Sequence, residues 1–316
     1  MSELRRDITS GQAVILAPRR GARPFDLSGA DPRPAPLPPL DPHCPFCPGS
    51  EAQLPGVIAE IAGPEPPGWR VRVVPNRFAA VDAHEVIVES PRHDARLARF
   101  EEAQVEAVVQ TYRDRLRAML DRPGTEAAVL FRNHGPGSGA SLRHPHAQLI
   151  GLDFTPPFVK ALVEAGAARH DADGRCPTCE MLAAELADGV RVVETTSGFV
   201  ALVPFAAEHP GEVWILPRGH AASFADLEDG GLPEFAALMR RTLARISRAY
   251  GDPAYNFVFD GADRAHRDAA FVHWRLRIAP RLAEPGGFEL GAGMAINPSR
   301  PEEDAARLRQ AGEDAP

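Results

Sequence analysis

Two long amphipathic stretches dominate the pattern of hydrophobic and polar positions along this chain. In each stretch, large apolar residues recur every three or four positions. They are Val105, Val108, Val109, Tyr112, Leu116 and Leu120 in the first stretch, and Phe235, Leu238, Met239, Leu243, Ile246 and Tyr250 in the second. Because this spacing places the apolar side chains on one helical face, the pattern predicts two long helices, each covering a sheet.

Short apolar runs flank both predicted helices and predict the strands of those sheets. Before each helix lies a run that has Glu-Val near its head and Pro-Arg and histidine at its end. After each helix come one strand, a loop and a last strand that is expected to begin with histidine. The paired runs are 84–93 and 211–220, 127–132 and 256–260, and 144–149 and 273–278.

The matched landmarks lie roughly 130 residues apart, which indicates an internal repeat. We therefore predict an α+β fold of two tandem units, each an antiparallel sheet packed with a long helix. Strands and one helix in this order do not alternate as in a doubly wound fold. The expected divisions are a first unit over 1–153, a linker over 154–173, a second unit over 174–298 and a polar C-terminal tail over 299–316.

Charge and length limit the classes of function. The chain has 316 residues and a formal net charge of −8, which argues against a general nucleic-acid binder. The N-terminus lacks the apolar core of a secretory signal, and no run of 18 apolar residues occurs. We therefore expect a cytoplasmic protein without a membrane partner.

Four cysteines form two Cys-x-x-Cys pairs. Disulfides would need an oxidising compartment, and two redox dithiols would be an unusual duplication, so metal binding fits best. His43 is a competing ligand, but the second unit has Arg175 at the matching position. A full Cys₂His₂ shell indicates structural zinc, with two ions expected per chain. The alternative is that one or both sets only pack. The predicted sets are Cys44, Cys47, His93 and His144, and Cys176, Cys179, His220 and His273.

The segment His144-Pro-His146-Ala-Gln148 is the strongest candidate for catalysis. In an extended strand these three polar side chains point to the same face. Alignment of the two units places His144 opposite His273, but His146 and Gln148 opposite arginines. The second unit thus keeps the metal ligand and lacks the second histidine, so the fold does not need His146. We predict that His146 is a nucleophile rather than a buried structural histidine.

Two further segments carry features of an anion-binding site. The loop from Asn133 to Ser141 contains three glycines, which let backbone N–H groups approach an anion closely. An arginine cluster near the N-terminus includes Arg20 and Arg23, whose guanidinium groups suit phosphate oxygens. The alternative for this cluster is a solvated surface patch.

These motifs resemble the galactose-1-phosphate uridylyltransferase family of the histidine-triad superfamily, including its ADP-glucose phosphorylase-like members. The resemblance extends over nearly the whole chain. It includes Cys-Pro-Phe-Cys at 44–47, Val-Pro-Asn-Arg-Phe at 74–78, His-Pro-His-Ala-Gln at 144–148 and Gly-Phe-Glu-Leu-Gly at 287–291. It implies that the two units are histidine-triad-like and that a ping-pong transfer proceeds through a covalent nucleotidyl-histidine at His146.

The resemblance also implies roles for other residues. Gln148 would hydrogen-bond the transferred phosphoryl group. Phosphate contacts would come from Ser141, Asn133, Arg20 and Arg23. The base and ribose would lie near Asn76 and Phe78, and Phe288 would approach the hexose across a homodimer interface.

The leading hypothesis is transfer of a nucleoside monophosphate from a UDP- or ADP-hexose to a hexose 1-phosphate. The segment 288–298 lacks the acidic and amide residues with which the galactose enzymes recognise sugar, and it is more similar to the phosphorylase branch. The alternative is therefore a nucleoside-diphosphate-sugar phosphorylase that uses orthophosphate as acceptor. A hydrolase ranks third, and a non-catalytic, zinc-stabilised nucleotide-binding module ranks last.

Overall fold

A computed structural model describes residues 2–22, 37–64 and 66–313 of the chain. The elements, in chain order, are β1 (Glu3–Arg6), β2 (Ala13–Leu16), β3 (Ala59–Ala62), β4 (Trp69–Pro75), β5 (His84–Val88), α1 (Glu102–Asp121), β6 (Ala127–His134), β7 (His146–Leu152), α2 (Pro157–Asp173), α3 (Pro177–Asp188), β8 (Val192–Thr195), β9 (Phe199–Leu202), β10 (Val213–Pro217), α4 (Leu232–Tyr250), β11 (Tyr255–Asp260), β12 (Arg275–Pro280), α5 (Gly287–Ala292), β13 (Ala295–Asn297) and α6 (Pro301–Glu313).

Ten strands form one continuous antiparallel sheet in the order β3-β4-β5-β7-β6-β11-β12-β10-β9-β8. Counting outward from the central β6–β11 pair, the first three strands on each side follow the same sequence of repeat landmarks, and two further strands complete each half. The predicted α+β fold of two tandem units is therefore confirmed. The two units share a sheet, joined where Tyr255–Val258 of β11 pairs with Phe131–His134 of β6.

The two long helices lie on one face of this sheet and pack against each other. The predicted apolar stripes of α1 and α4 are buried, except that Tyr250 is half-buried. Each large apolar side chain removed from water contributes about 1.5–3 kcal/mol, so the stripes fix how the helices dock. Helix α4 has proline in its first turn and is followed by Gly251, which adopts the left-handed backbone conformation that ends many helices.

The last strand of each unit begins two residues later than predicted, at His146 and Arg275 instead of at the preceding histidine. The reason is the same in both units. The Nε2 atom of His144 lies 2.7 Å from the carbonyl oxygen of Ser90, and that of His273 lies 3.0 Å from that of Pro217. Each histidine side chain is thus anchored beside the end of the neighbouring strand, before the regular ladder begins.

The segment 154–173 contains helix α2, and the segment 299–316 contains helix α6. Although α6 is mostly polar, its Ala305 and Leu308 are buried in the main core. Arg245 of α4 donates hydrogen bonds to the carbonyls of Leu308 and Arg309 at 3.3 and 3.1 Å. The division of the chain at residues 153 and 174 stays a prediction.

A small second sheet joins the N-terminus to the C-terminal region. Strand β2 pairs with β1 in antiparallel fashion and with β13 in parallel fashion. This sheet brings Thr9, in the turn between β1 and β2, next to Arg275 of the large sheet. Among the helices that the structure describes, none is both long enough and apolar enough to cross a membrane.

Candidate active site and metal centres

The first predicted metal set converges in the structure. The ligand atoms of Cys44, Cys47, His93 and His144 all lie within 4.8 Å of one another, and all four residues are buried. Both histidines direct Nδ1 toward sulfur, with distances of 3.6 Å from His93 to Cys47 Sγ and 3.5 Å from His144 to the same atom. The backbone N–H of Asp41 also donates to Cys47 Sγ at 3.3 Å. His43, the competing ligand, is exposed and lies outside the cluster.

The second predicted set converges in the same way. Cys176, Cys179, His220 and His273 offer ligand atoms within 4.8 Å of one another. Cys179 Sγ lies 3.3 Å from Nδ1 of His220 and 3.4 Å from Nδ1 of His273. The two clusters therefore use the same ring nitrogen of each histidine.

The donor chemistry of both clusters fits a thiophilic metal ion. In each cluster, Nε2 of a histidine faces a backbone carbonyl, an arrangement that orients the other nitrogen of metal-ligating imidazoles. Burial lowers the pKa of His144 to about 4, so its imidazole is neutral, as a ligand must be. Burial raises the pKa of the Cys44 thiol to about 11, so a thiolate at this position requires a cation beside it. Two Cys₂His₂ clusters that could hold metal are thus present.

His146 opens strand β7 next to the first cluster and is 6% exposed. Its Nδ1 lies 2.8 Å from the carbonyl oxygen of His144, so Nδ1 carries the proton and Nε2 keeps its lone pair. The ring of Phe46, between the two cysteines of the cluster, lies 5.5 Å from the His146 ring, centroid to centroid. Burial lowers the pKa of the His146 imidazole, which favours the neutral, nucleophilic form.

Gln148 lies two residues further along the same face of β7 and contacts a polar side chain of the neighbouring strand β5. Its Oε1 lies 2.9 Å from Nε2 of His84, the first residue of β5. Asn76, the residue after β4, places Nδ2 3.1 Å from the same ring nitrogen, and its Oδ1 accepts the N–H of Phe78. The sequence analysis noted His84 only as a repeat landmark and missed its place in the site.

On its other side β7 pairs with β6, which leads into the glycine-rich loop. Asn256 of β11 donates from Nδ2 to Oδ1 of Asn133 at 2.7 Å and to the carbonyl of Ser138 at 2.8 Å. A residue of the second unit therefore holds both a predicted phosphate contact and the loop of the first unit. The sequence analysis missed Asn256. In this loop Gly135, Gly137 and Gly139 have positive φ angles near +80°, which glycine adopts without strain.

The structure describes all but one of the remaining predicted substrate-binding residues, and these are exposed or half-buried. Ser141 is exposed, and Arg20 is half-buried in the 3₁₀ helix Pro18–Ala22. Phe78 is 85% exposed, and Phe288 on α5 is 47% exposed. Arg23 lies outside the described residues. Within the part of the chain that the structure describes, no hydrogen bond or ring contact joins these residues to His146.

Beneath the site, on the core face of the sheet, lies a buried ionic group that the sequence analysis missed. Arg132 donates from Nε to both oxygens of Glu89 at 2.9 Å, and Tyr112 donates to the same carboxylate. The N–H of Glu89 donates to the carbonyl of Pro145 at 3.0 Å, next to His146. Charged residues inside otherwise apolar runs were the available signal. This group therefore ties Pro145, the residue before the nucleophile candidate, to the core.

The equivalent face of the second unit is filled by ion pairs. Arg275 and Arg277, opposite His146 and Gln148 in the repeat, both donate to Asp260 Oδ2, at 3.2 and 2.9 Å. Arg275 also donates to Thr9 Oγ1 at 2.7 Å and stacks 3.6 Å from the ring centroid of Trp214. This face therefore presents two arginines that are paired with Asp260 and covered by the turn that contains Thr9, where the first unit presents an imidazole.

Comparisons with known proteins agree with this architecture. Residues 32–155 match a family model described as the N-terminal domain of a domain of unknown function, DUF4931. An ADP-glucose phosphorylase from Arabidopsis thaliana is 29% identical over 333 residues, covering 98% of this chain and 92% of that protein. A galactose-1-phosphate uridylyltransferase from Thermotoga maritima is 28% identical over 330 residues, covering 98% of each.

Solved structures give the same relationship. The crystal structure of the ADP-glucose phosphorylase from Arabidopsis thaliana with bound ADP-glucose superposes with a TM-score of 0.86 at 28% sequence identity, covering 98% of both chains. The similarity thus extends over both units. The chain is a relative of the galactose-1-phosphate uridylyltransferase family, including its ADP-glucose phosphorylase-like members, as its motifs predicted.

Proposed function

We propose that this protein transfers a nucleoside monophosphate from a nucleotide sugar to a phosphate-bearing acceptor through a covalent intermediate on His146. The class of enzyme that the resemblance implied, a nucleotidyltransferase, is confirmed by its relatives. The observation that carries the proposal is the contrast at one site. His146 is buried beside the first cluster with Nδ1 bound to a carbonyl, whereas the matching position holds an ion-paired arginine.

The chemistry follows from that arrangement. Nε2 of His146 attacks the α-phosphorus, forming a P–N bond as the bond to the bridging oxygen breaks, and the hexose 1-phosphate leaves. An acceptor oxygen then attacks the same phosphorus, breaks the P–N bond and frees the imidazole. The His144 carbonyl stabilises the positive charge that develops on the ring through the Nδ1 proton. Amide donors from Gln148 and Asn133 stabilise the phosphoryl oxygens.

The predicted roles of the other residues are part of this proposal. Arg20, Arg23 and Ser141 bind phosphate oxygens, and Asn76 and Phe78 contact the base and ribose. Phe288 contacts the hexose from a second copy of the chain. A homodimer supplies a reason for the exposure of Phe288, whose apolar ring a partner would cover.

We also propose that both clusters hold structural zinc. Two thiolates and two imidazoles form a closed tetrahedral set, which leaves no position for a metal-bound water. His144 belongs to the cluster through its side chain and supports His146 through its carbonyl oxygen. The first ion would thereby fix the backbone that holds the nucleophile.

The acceptor separates the two candidate reactions. The higher structural similarity favours the phosphorylase: the ADP-glucose phosphorylase superposes with a TM-score of 0.86, and a uridylyltransferase structure with 0.75, both at 28% identity. With orthophosphate as acceptor, the nucleotidyl group leaves as a nucleoside diphosphate. With a hexose 1-phosphate, it leaves as a new nucleotide sugar.

Incubation with UDP-glucose or ADP-glucose, radiolabelled in the nucleotide and given without acceptor, tests the covalent step. Label that is acid-labile and base-stable should remain on the protein, and His146→Ala should lose it. His43→Ala is the matched control, because this histidine is exposed beside the same cluster and should keep full labelling. If neither UDP-glucose nor ADP-glucose leaves label on the protein, covalent transfer is overturned.

A chase of the labelled protein then identifies the acceptor. Orthophosphate should release labelled nucleoside diphosphate if the protein is a phosphorylase. Galactose 1-phosphate or glucose 1-phosphate should release labelled nucleotide sugar if it is a uridylyltransferase-like enzyme. Release of nucleoside monophosphate by water alone, at the same rate as with either acceptor, would instead indicate a hydrolase.

A further inference from the structure

We propose that His84 is a positioning residue that fixes the side-chain amide of Gln148 with its NH₂ group toward the transferred phosphoryl group. This inference rests on the proposed function and adds a residue to its machinery. His84 opens strand β5 next to β7, is 7% exposed, and shares the face of the sheet that carries His146 and Gln148.

The tautomer of His84 follows from a backbone donor. The N–H of Ala80 points at Nδ1 of His84 at 3.1 Å. Because a backbone N–H can only donate, Nδ1 must accept and carries no proton. A neutral imidazole then has its proton on Nε2, and this nitrogen lies 2.9 Å from the side-chain oxygen of Gln148. His84 is therefore the donor and Gln148 Oε1 the acceptor.

The Asn76 amide does not compete for this geometry. Its Nδ2 lies 3.1 Å from Nε2 and 3.5 Å from Nδ1 of His84. An atom in line with one ring nitrogen would be much farther from the other, so this amide nitrogen lies across the ring and not in the plane of a hydrogen bond. The Asn76 oxygen accepts the N–H of Phe78, which sets the orientation of the Asn76 amide.

The consequence concerns which end of Gln148 meets the substrate. A glutamine amide presents an oxygen at one side and two N–H donors at the other. Because His84 occupies the oxygen, the NH₂ group is the end left for the phosphoryl group. A reversed amide would set an oxygen against a negatively charged phosphoryl group. The bond to His84 therefore prevents a repulsive orientation as well as supplying a favourable one.

The repeat within the chain supports a shared role. In the sheet, Val86 pairs with Gln148 and Trp214 pairs with Arg277, the residue that stands at the position of Gln148 in the second unit. His84 lies two residues before Val86, so Glu212, two residues before Trp214, stands at its position. Both members of the pair are thus replaced in the unit that also lacks the nucleophile. A histidine needed only for the strand would have no reason to be missing together with its glutamine partner.

A double-mutant cycle tests the inference. Single-turnover labelling of His146 is measured for the unsubstituted protein, His84→Phe, Gln148→Ala and the double variant, at saturating nucleotide sugar. Phenylalanine keeps a ring and removes the donor. We expect His84→Phe to slow labelling about tenfold in the unsubstituted background and less than about twofold with Gln148→Ala. The effect should fall on the rate and not on nucleotide-sugar affinity, measured in a His146→Ala background.

The conservative variant His84→Asn supplies an amide donor and should recover part of the rate that His84→Phe loses. If His84→Phe does not fold, the comparison of His84→Asn with His84→Ala replaces it. His266→Phe is the control, since this half-buried histidine bonds to Asp263 in the second unit, and it should label at the full rate.

Two outcomes would overturn the inference, and they are distinguishable from failure of the proposed function. Equal slowing by His84→Phe with and without Gln148 would show that His84 acts on the fold and not through the glutamine. Labelling by His84→Phe at the full rate would show that it has no role. Absence of label on the unsubstituted protein would instead remove the proposed function together with this inference.

Discussion

The two halves of the sheet carry equivalent Cys₂His₂ clusters and unlike faces. In the first unit, the strand after the cluster presents His146 and Gln148, which have neutral side chains that lie against the rings of Phe46 and His84. In the second, the same strand presents Arg275 and Arg277, both paired with Asp260, and the turn that contains Thr9 covers them. The same scaffold thus supports one face that presents an imidazole and one that is closed by ion pairs.

The contrast separates what the fold needs from what the chemistry needs. Both units keep two cysteines, two histidines and the carbonyl that orients the last histidine, so this cluster belongs to the scaffold. His84, His146 and Gln148 occur in one unit alone, which is why we propose that they serve the reaction and not the fold. The predictions that follow test this division, beginning with the largest expected effect.

Removal of His146 and removal of Arg275 should have opposite consequences. His146→Ala should reduce nucleotidyl transfer on the order of 10³-fold or more, because no other group at that position can form the P–N bond. Arg275→Ala should leave the labelling rate of the folded protein nearly unchanged. It should lower the free energy of unfolding by about 3 kcal/mol, since it breaks a buried ion pair. Labelling kinetics and denaturant unfolding measure the two effects. Loss of labelling in folded Arg275→Ala would contradict the division.

Disruption of the two clusters should separate stability from activity. Cys47→Ala and Cys179→Ala should each remove one metal ion, measured by elemental analysis, and each should lower the melting temperature. Cys47→Ala should also slow labelling on the order of 10- to 100-fold, because its cluster holds His144 and thereby His146. In folded Cys179→Ala the rate should stay within about twofold. Equal slowing by both variants would mean that the second cluster also supports the reaction.

Asn256 belongs to the second unit but hydrogen-bonds to Asn133 and Ser138 of the first. It should therefore be the exception to the expectation that changes in the second unit leave the reaction rate unchanged. Asn256→Asp keeps the shape of the side chain but sets a carboxylate against the oxygen atoms of Asn133 and Ser138. We expect it to slow labelling about tenfold, and more than Asn256→Ala, which removes the donor without adding repulsion. If Asn256→Ala slows the reaction more than Asn256→Asp, lost packing and not amide orientation is the cause.

The smallest expected effect is on alkaline stability at the same boundary. Burial raises the pKa of Tyr255 to about 12, above its ordinary value of 10.0. A raised pKa in the folded state means that stability is fully present below pH 10 and is lost as pH rises toward 12. Tyr255→Phe should flatten this decline in the free energy of unfolding. It should also cost about 1 kcal/mol at neutral pH through loss of the bond to Arg132. An unchanged alkaline slope would assign the decline to other groups.

Sequence reasoning found the features that have a local or periodic signature. The stripes of α1 and α4 follow helical spacing, and the metal ligands follow from two Cys-x-x-Cys pairs with matched histidines. It missed His84 and Asn256, because their partners lie on strands that are distant in the chain and adjacent only in the sheet. It also set the start of β7 at His144, since the pattern does not reveal that this side chain bonds to Ser90.

The central β6–β11 pair has a consequence for any attempt to study one unit alone. Within the whole chain, the backbone groups of Phe131–His134 are bonded across to Tyr255–Val258. A fragment that ends near residue 153 would leave this edge of β6 open, with Phe131 and Asn133 on an unprotected strand. An open edge recruits other chains through the same backbone groups. Fragments of this protein should therefore self-associate, and the second unit has the further task of keeping the first one monomeric along that edge.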